Sequence, residues 1–210
     1  MPEHHIPDDV LVAYAAGAVP AGEELLVACH LTLCPACRAA VARAEQVGES
    51  VLARAPSAPM DHALAGLMAK LDAPVPPPPA RPAAPDCPWF PLPLRRRVGA
   101  HASLPWRPVG FDVRAAKVDL TSDERVFLLD FPPGFQIPTH GHHGVERTLV
   151  LQGGFRDERD SYARGDVTWR DDPDHEVRID EDGRCTTLFV NDGAADLGWL
   201  TPLVDWWIHR

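Results

Sequence analysis

The sequence lacks an excess of basic residues. Its 210 residues include 30 acidic side chains against 20 Lys and Arg, which gives a formal net charge of −10 at pH 7. Both halves are acidic: residues 1–72 carry nine acids and four bases, and residues 99–210 carry twenty acids and twelve bases. Proteins that bind nucleic-acid phosphates usually present a basic face. The charge therefore argues against direct DNA binding and favours a basic protein partner.

Long apolar segments are also missing. The longest runs from Val10 to Val19, which is about half the length of a membrane-spanning helix. The N-terminus, Met1-Pro2-Glu3-His4, lacks the basic start and the apolar core of a secretory signal. We therefore expect a cytoplasmic protein with no membrane association.

Cysteine is scarce, and its number is odd. Three of the five cysteines fall within nine residues, and the full set is Cys29, Cys34, Cys37, Cys87 and Cys185. A secreted disulfide framework usually has an even number of cysteines in a short chain. The pattern favours a reduced protein whose clustered cysteines bind metal.

One segment differs in composition from the rest of the chain. Between Ala73 and Pro93, ten of the twenty-one residues are proline. Proline fixes φ and has no backbone donor, so the segment is expected to be an extended spacer rather than helix or paired strand. It predicts a helical domain over residues 1–72, a linker over 73–93 and a second domain over 94–210.

Upstream of the linker, apolar residues recur at helical spacing. Four helices are predicted, with starts near Asp8, Ala21, Pro35 and Met60. Asp8 or Asp9 is expected to cap the first helix. A bundle of only about seventy residues has a thin core, so a bound metal would contribute much of its stability.

The fourth predicted helix carries a narrow apolar stripe. Its members lie at positions i, i+3, i+4 and i+7 and are Leu64, Leu67, Met68 and Leu71. Such a stripe suits a helix that completes the core of the bundle. It equally suits a helix that inserts into an apolar groove on a partner protein.

Downstream of the linker, the pattern changes to short strands. Strand-like runs occupy residues 124–131, 145–151, 166–170 and 185–190. Turn sequences such as Pro132-Pro133-Gly134 separate them. Regular short strands with turn signals predict a β-sandwich or barrel, so the expected fold class is a small helical bundle followed by a β domain.

The helical part contains a first set of candidate metal ligands. Cys34 and Cys37 form a CxxC pair, His30 lies four residues before Cys34, and His5 lies twenty-five residues before His30. If His30 ends one helix and the cysteines open the next, three ligands meet at the corner, and the helix dipole stabilises the thiolates. With His5 folded back, the set becomes a closed Cys2His2 site, which suits structural zinc.

Other interpretations of these residues stay open at the level of sequence. A CxxC pair also occurs in thioredoxin-like redox proteins, but no βαβ pattern surrounds this one. His4 competes with its neighbour His5 for the fourth position. Cys29 points about 100° away from His30 on a helix, so we expect it in the core.

The β part contains a second set of candidate ligands. Residues 134–153 follow the pattern G-x5-H-x-H-x3-E-x6-G, which places His140, His142 and Glu146 at positions of equal parity. Side chains of equal parity share one face of a strand. His175, on a later strand, is expected to complete the set, and His143 is expected to face the other side. Three imidazoles and one carboxylate suit Zn, Fe, Mn or Ni.

Both ligand patterns resemble known families. The pattern H-x24-H-x3-C-x2-C on a short N-terminal helical domain is similar to the zinc-binding anti-sigma (ZAS) family. That resemblance implies that zinc is held by His5, His30, Cys34 and Cys37. The second pattern is similar to the first cupin motif at every defined position. Gly165, Pro173 and His175 match the second cupin motif in part, without its usual glycine before the histidine.

A ZAS-type domain followed by a cupin resembles the ChrR family of anti-sigma factors. This resemblance implies an N-terminal domain that binds an extracytoplasmic-function (ECF) sigma factor and blocks its access to RNA polymerase. It implies a jelly-roll cupin β-barrel that holds zinc or another divalent transition metal and is needed to respond to singlet oxygen or a related oxidant. It implies no enzymatic activity. In this interpretation, the apolar stripe of the fourth helix inserts between domains of the sigma factor.

Alternative functions fit parts of the pattern. A metal-dependent cupin enzyme, of dioxygenase or isomerase type, would need an open metal position and a substrate pocket, with the helical domain as a regulatory module. A DNA-binding regulator would use the first ligand set as a zinc finger, against the acidic charge of residues 1–72. Within the anti-sigma interpretation, Cys185 is either an oxidisable group or a buried strand cysteine.

Overall fold

The helices all precede the strands, as the sequence predicts. The structure is a computed structural model that describes residues 1–56, 63–71, 89–99, 104–121, 123–142, 144–171, 175–192 and 195–196. Within these ranges the helices are α1 (Asp8–Ala15), α2 (Ala21–Leu33), α3 (Pro35–Leu52), α4 (Ala63–Leu71) and α5 (Leu92–Val98).

The first three helices begin at or next to the predicted residues, and one capping prediction is wrong. Pro7, not an aspartate, is the N-cap of α1, because its φ of −54° and ψ of 143° already provide the extended entry. Asp8 and Asp9 lie in the first turn, where their carboxylates interact favourably with the helix dipole. α3 opens with Pro35 at its first position, where a missing N–H costs nothing.

No single helix in the described ranges is both long and apolar enough to cross a membrane. α2 and α3 pass that test only as a pair, and the two are bent by 118° at the break between them. α2 is also largely buried within the protein, as expected of a core helix.

The strands form two antiparallel sheets, as in a cupin. The six-stranded sheet has the order β1-β2-β3-β10-β5-β8, and the five-stranded sheet has the order β11-β4-β9-β6-β7. The strands are β1 (Arg107–Gly110), β2 (Val113–Lys117), β3 (Arg125–Phe131), β4 (Gln136–His142), β5 (Glu146–Gln152), β6 (Gly154–Arg156), β7 (Ser161–Ala163), β8 (Val167–Arg170), β9 (His175–Ile179), β10 (Cys185–Asn191) and β11 (Ala195–Asp196).

The central strands of the six-stranded sheet are buried on both faces. Val150 of β5 contributes to the core between the two sheets. Its neighbours Leu149 and Leu151 point to the opposite face and join a second core that includes Leu26 of α2. The helical part therefore packs on the outer face of this sheet.

α5 returns the chain to the helical part after the linker. It packs against α2, and Leu94 is fully buried in the core shared by the helices and the sheet. Cys29 of α2 is also fully buried, next to the backbone of Leu94, which confirms its predicted core position. α5 spans the predicted boundary at residues 93 and 94, and the domain limits at 72 and 93 stay predictions.

Candidate metal centre

Four predicted ligands meet at the corner between α2 and α3. One donor atom from each lies within 4.8 Å of all the others, and the group is His5, His30, Cys34 and Cys37. His30 Nε2 is 3.2 Å from Cys37 Sγ, and His5 Nδ1 is 3.3 Å from Cys34 Sγ and 3.7 Å from Cys37 Sγ. The sequence-based prediction that these side chains converge is confirmed.

Local structure explains why these residues meet. His30 occupies the last turn of α2, and Cys34 is at once the C-cap of α2 and the N-cap of α3. Cys37 follows in the first turn of α3, where its backbone N–H donates to Cys34 Sγ at 3.4 Å. The segment before α1 then brings His5 to the open side of the corner. His5 is exposed, whereas the other three side chains are buried.

The donor set fits a tetrahedral metal ion. Around zinc, with Zn–S near 2.3 Å and Zn–N near 2.0 Å, a nitrogen and a sulfur ligand of a tetrahedral site lie about 3.5 Å apart. The observed nitrogen–sulfur separations of 3.2, 3.3 and 3.7 Å bracket that value. Two imidazoles and two thiols can therefore hold a metal ion with only small shifts.

Burial favours the neutral forms of two of these ligands, His30 and Cys37. It lowers the pKa of His30, and the backbone carbonyl of Gly165 offsets this only in part. The imidazole is therefore neutral near pH 7, as a metal ligand must be. Burial also raises the pKa of the Cys37 thiol to about 11. A cation at this centre must displace the thiol proton, which is the usual coupling between metal binding and proton release.

The structure separates His5 from its neighbour His4. The ring of His4 lies 4.4 Å from the ring of Tyr162, and its Nε2 lies 3.2 Å from a carboxylate oxygen of Asp160. His4 thus contacts the surface of the β domain, and His5 lies at the metal centre.

The β domain supplies contacts that the sequence did not predict. His30 Nδ1 lies 2.8 Å from the backbone oxygen of Gly165, in the turn between β7 and β8. Asp166, in the same turn, accepts hydrogen bonds from the backbone N–H groups of Glu3 and His4. Gly165 is recognisable in the sequence as a cupin-motif glycine, but no local signal relates it to a helix 135 residues away.

The second ligand set is only partly described. Glu146 is buried at the start of β5, where Thr148 donates a hydrogen bond to its carboxylate at 3.3 Å. The register between β4 and β9 places His140 directly opposite His175. The side chains of His140, His142 and His175, and the whole of His143 and Pro173, lie outside the described part of the chain. Metal binding by this set stays a prediction.

The predicted partner-binding stripe lies on α4. Its four side chains are each more than half exposed, with values of 73% for Leu64, 56% for Leu67, 53% for Met68 and 69% for Leu71. Residues 57–62 and 72–88, which flank this helix, lie outside the described residues. Among the residues that the structure describes, the stripe is not part of the core of the bundle.

Comparisons with known proteins agree with both parts of the fold. The ChrR cupin-like domain family matches residues 95–196. The anti-sigma-E factor ChrR of Cereibacter sphaeroides is 40% identical over 203 residues, which cover 95% of this chain and 94% of that protein. A crystal structure of Rhodobacter sphaeroides SigE in complex with the anti-sigma ChrR is similar with a TM-score of 0.80 and 36% identity, covering 91% of this chain and all of the matched chain.

A small helical part with a His/Cys metal group, carried on a cupin-like β domain, defines a class of two-part regulatory proteins. Within that class, the chain belongs to the ChrR family of anti-sigma factors. Membership of this family makes the chain a regulator rather than an enzyme.

Proposed function

We propose that this chain binds an ECF sigma factor and prevents it from joining RNA polymerase. The observation that carries the proposal is the similarity, over 91% of the chain, to an anti-sigma factor bound to its sigma factor. The similarity spans helices and strands alike, so it extends well beyond the cupin domain.

The proposed role of the metal is to fold the surface that holds the partner. We assign zinc to His5, His30, Cys34 and Cys37, because the donor set is closed and leaves no position for a substrate. A structural zinc ion contributes on the order of 10 kcal/mol to the folding of a small domain. Here it would fix the angle between α2 and α3.

The proposed contact with the sigma factor is the apolar stripe of α4. Four large apolar side chains on one face of a nine-residue helix are exposed in the chain alone. Burial of each in a partner groove contributes about 1.5–3 kcal/mol. The geometry suits an amphipathic helix that inserts into an apolar groove.

The proposed signal is oxidative, such as singlet oxygen, and acts through a metal in the cupin. The ligands would be His140, His142, Glu146 and His175, with zinc or another divalent transition metal. On β5, Glu146 and Arg147 are adjacent, so their side chains point to opposite faces of the sheet. Arg147 forms a buried ion pair with Glu23 of α2 at 2.8 Å. A change at the cupin metal would thus reach the helices through one strand.

Coexpression tests the function directly. An affinity-tagged chain is expressed with a candidate ECF sigma factor, and the sigma factor is looked for in the purified fraction. We expect a stable complex that inhibits transcription from a sigma-dependent promoter by RNA polymerase. If the chain captures no sigma factor but turns over a small metabolite, the proposal is wrong and a cupin enzyme is the better description.

A further inference from the structure

We propose that the cupin completes the zinc centre of the helical part: the β7–β8 turn, residues 164–166, positions both histidine ligands. Zinc affinity and docking of the cupin then depend on each other. This inference rests on the proposed zinc centre. The turn itself supplies no ligand.

The first contact orients His30. Its Nε2 faces Cys37 Sγ, and its Nδ1 lies 2.8 Å from the backbone oxygen of Gly165. A carbonyl oxygen only accepts, so Nδ1 carries the proton and Nε2 is left with its lone pair toward the metal. Such outer partners fix the tautomer and the ring orientation of a ligating histidine. The backbone of the cupin therefore holds a ligand that belongs to α2.

The second contact orients His5. One oxygen of the Asp166 carboxylate accepts from the backbone N–H groups of Glu3 at 2.6 Å and His4 at 2.9 Å. The other oxygen accepts from the N–H of Ala163 at 2.8 Å. Asp166 is 4% exposed, so these bonds are sheltered from water. His5 is the next residue, and its approach to the centre depends on this anchored segment.

Close packing reinforces the same contact. Gly165 has a φ of +98°, and a Cβ added to it would lie 2.8 Å from Pro2 Cγ and 3.5 Å from Leu33 Cβ. The N-terminal segment and the end of α2 thus both lie against the backbone of the turn.

Zinc binding and docking of the cupin are thermodynamically linked. If the docked cupin strengthens zinc binding by some factor, zinc strengthens docking of the cupin by the same factor. Loss of outer partners typically lowers metal affinity about 10- to 100-fold. A signal that displaces the turn would therefore loosen the metal in the domain proposed to hold the sigma factor.

The test compares full-length variants by their affinity for the zinc ion of the helical part. This affinity is measured by competition with a chromophoric chelator. Asp166→Ala is expected to weaken zinc binding about 10- to 100-fold. Asp160→Ala removes an exposed carboxylate that, among the described residues, hydrogen-bonds to the ring of His4 and the backbone N–H of Ser161, and it should leave the affinity unchanged. Equal affinities for Asp166→Ala and the wild-type chain would overturn the proposal.

A pair of glycine variants distinguishes loss of the contact at the turn from a general folding defect. Gly165→Ala adds both backbone strain and the contact with Pro2, whereas Gly110→Ala adds similar strain at a φ of +108° with nothing within 4 Å. Only the first should weaken zinc binding, and Pro2→Ala in the same chain should restore part of the loss. If the two glycine variants bind zinc alike, the turn does not position the ligands.

The Cys34→Ser/Cys37→Ser chain separates this inference from the zinc centre itself. It should lose the zinc of the helical part, and amide hydrogen exchange in the β7–β8 turn should become faster than in the wild-type chain. If the zinc content does not fall, the proposed centre is wrong. If zinc is lost while exchange in the turn is unchanged, only the coupling is wrong.

Discussion

At the scale of single residues, the described cysteines divide into two chemical groups. Cys34 and Cys37 lie beside histidine nitrogens in a metal-ligand arrangement. Cys29 and Cys185 are fully buried, and burial raises the pKa of each thiol to about 12. Because the thiolate is the reactive form, the thiols of Cys29 and Cys185 are unreactive at neutral pH.

The first prediction concerns Cys185 as an oxidant sensor. At neutral pH its thiolate fraction is about a thousandfold below that of an ordinary thiol, given a pKa near 12 rather than 9. We expect iodoacetamide to label Cys185 far more slowly in the native chain than in the same chain unfolded in denaturant. We also expect Cys185→Ala to release its partner normally under oxidant. Rapid native labelling, or loss of release in the variant, would identify Cys185 as a sensor instead.

At the scale of elements, α2 receives support from the cupin at its N-terminus. Its N-cap, Pro20, makes no side-chain cap bond. Instead, the Glu124 carboxylate accepts hydrogen bonds from the backbone N–H groups of Gly22 at 2.6 Å and Glu23 at 3.2 Å. A carboxylate at this position satisfies free donors and interacts favourably with the helix dipole. α2 is thereby held to the β domain at its start by Glu124 and near its end by His30.

The second prediction concerns α4. Changing Leu67 and Met68 to Asp places two charges in the stripe and should weaken binding of the sigma factor at least about 30-fold, as expected when central apolar contacts are lost. Ala65→Asp with Ala69→Asp adds the same charges to α4 outside the stripe and should have a much smaller effect. Binding is measured by titration of labelled sigma factor. Wild-type affinity in the stripe variant would remove α4 from the interface.

At the scale of the whole molecule, the helices and the cupin share one core and a buried ion pair. Arg147 lies 2.8 Å from Glu23 and 3.0 Å from Asp192, with its guanidinium over the ring of Trp169. Burial raises the pKa of Glu23 even though Arg147 opposes this. Desolvation thus outweighs the attraction between the two charges, so the pair fixes position more than it adds stability.

The third prediction tests that interpretation of the pair. Arg147→Met leaves Glu23 buried without its partner and should lower the free energy of unfolding by about 3–5 kcal/mol. Adding Glu23→Gln to the same chain should recover most of the loss. Lys117→Met, which breaks an exposed ion pair with Asp119, serves as the control and should change little. Equal losses in the single and the double variant would show that the charge of Glu23 is not the cause.

The sequence predicted local features well and contacts between distant segments poorly. The spacing of His30, Cys34 and Cys37 predicts a corner between two helices, and α3 begins where predicted. The strand-like runs and the turn sequences between them predicted a β domain, but not the packing of the helices on the outer face of its six-stranded sheet. The contacts of Glu124, Gly165 and Asp166 depend on how two folded units meet, and the neighbouring residues carry no signal for that.

We propose that a zinc ion at the α2–α3 corner shapes the surface that binds the sigma factor. The most direct measurement determines the zinc content and the sigma-factor affinity together in the wild-type, Cys29→Ala and Cys34→Ser/Cys37→Ser chains. We predict that Cys29→Ala keeps both, and that the double variant loses the helical zinc and the sigma factor together. A double variant that lacks this zinc but binds the sigma factor with wild-type affinity would contradict the claim.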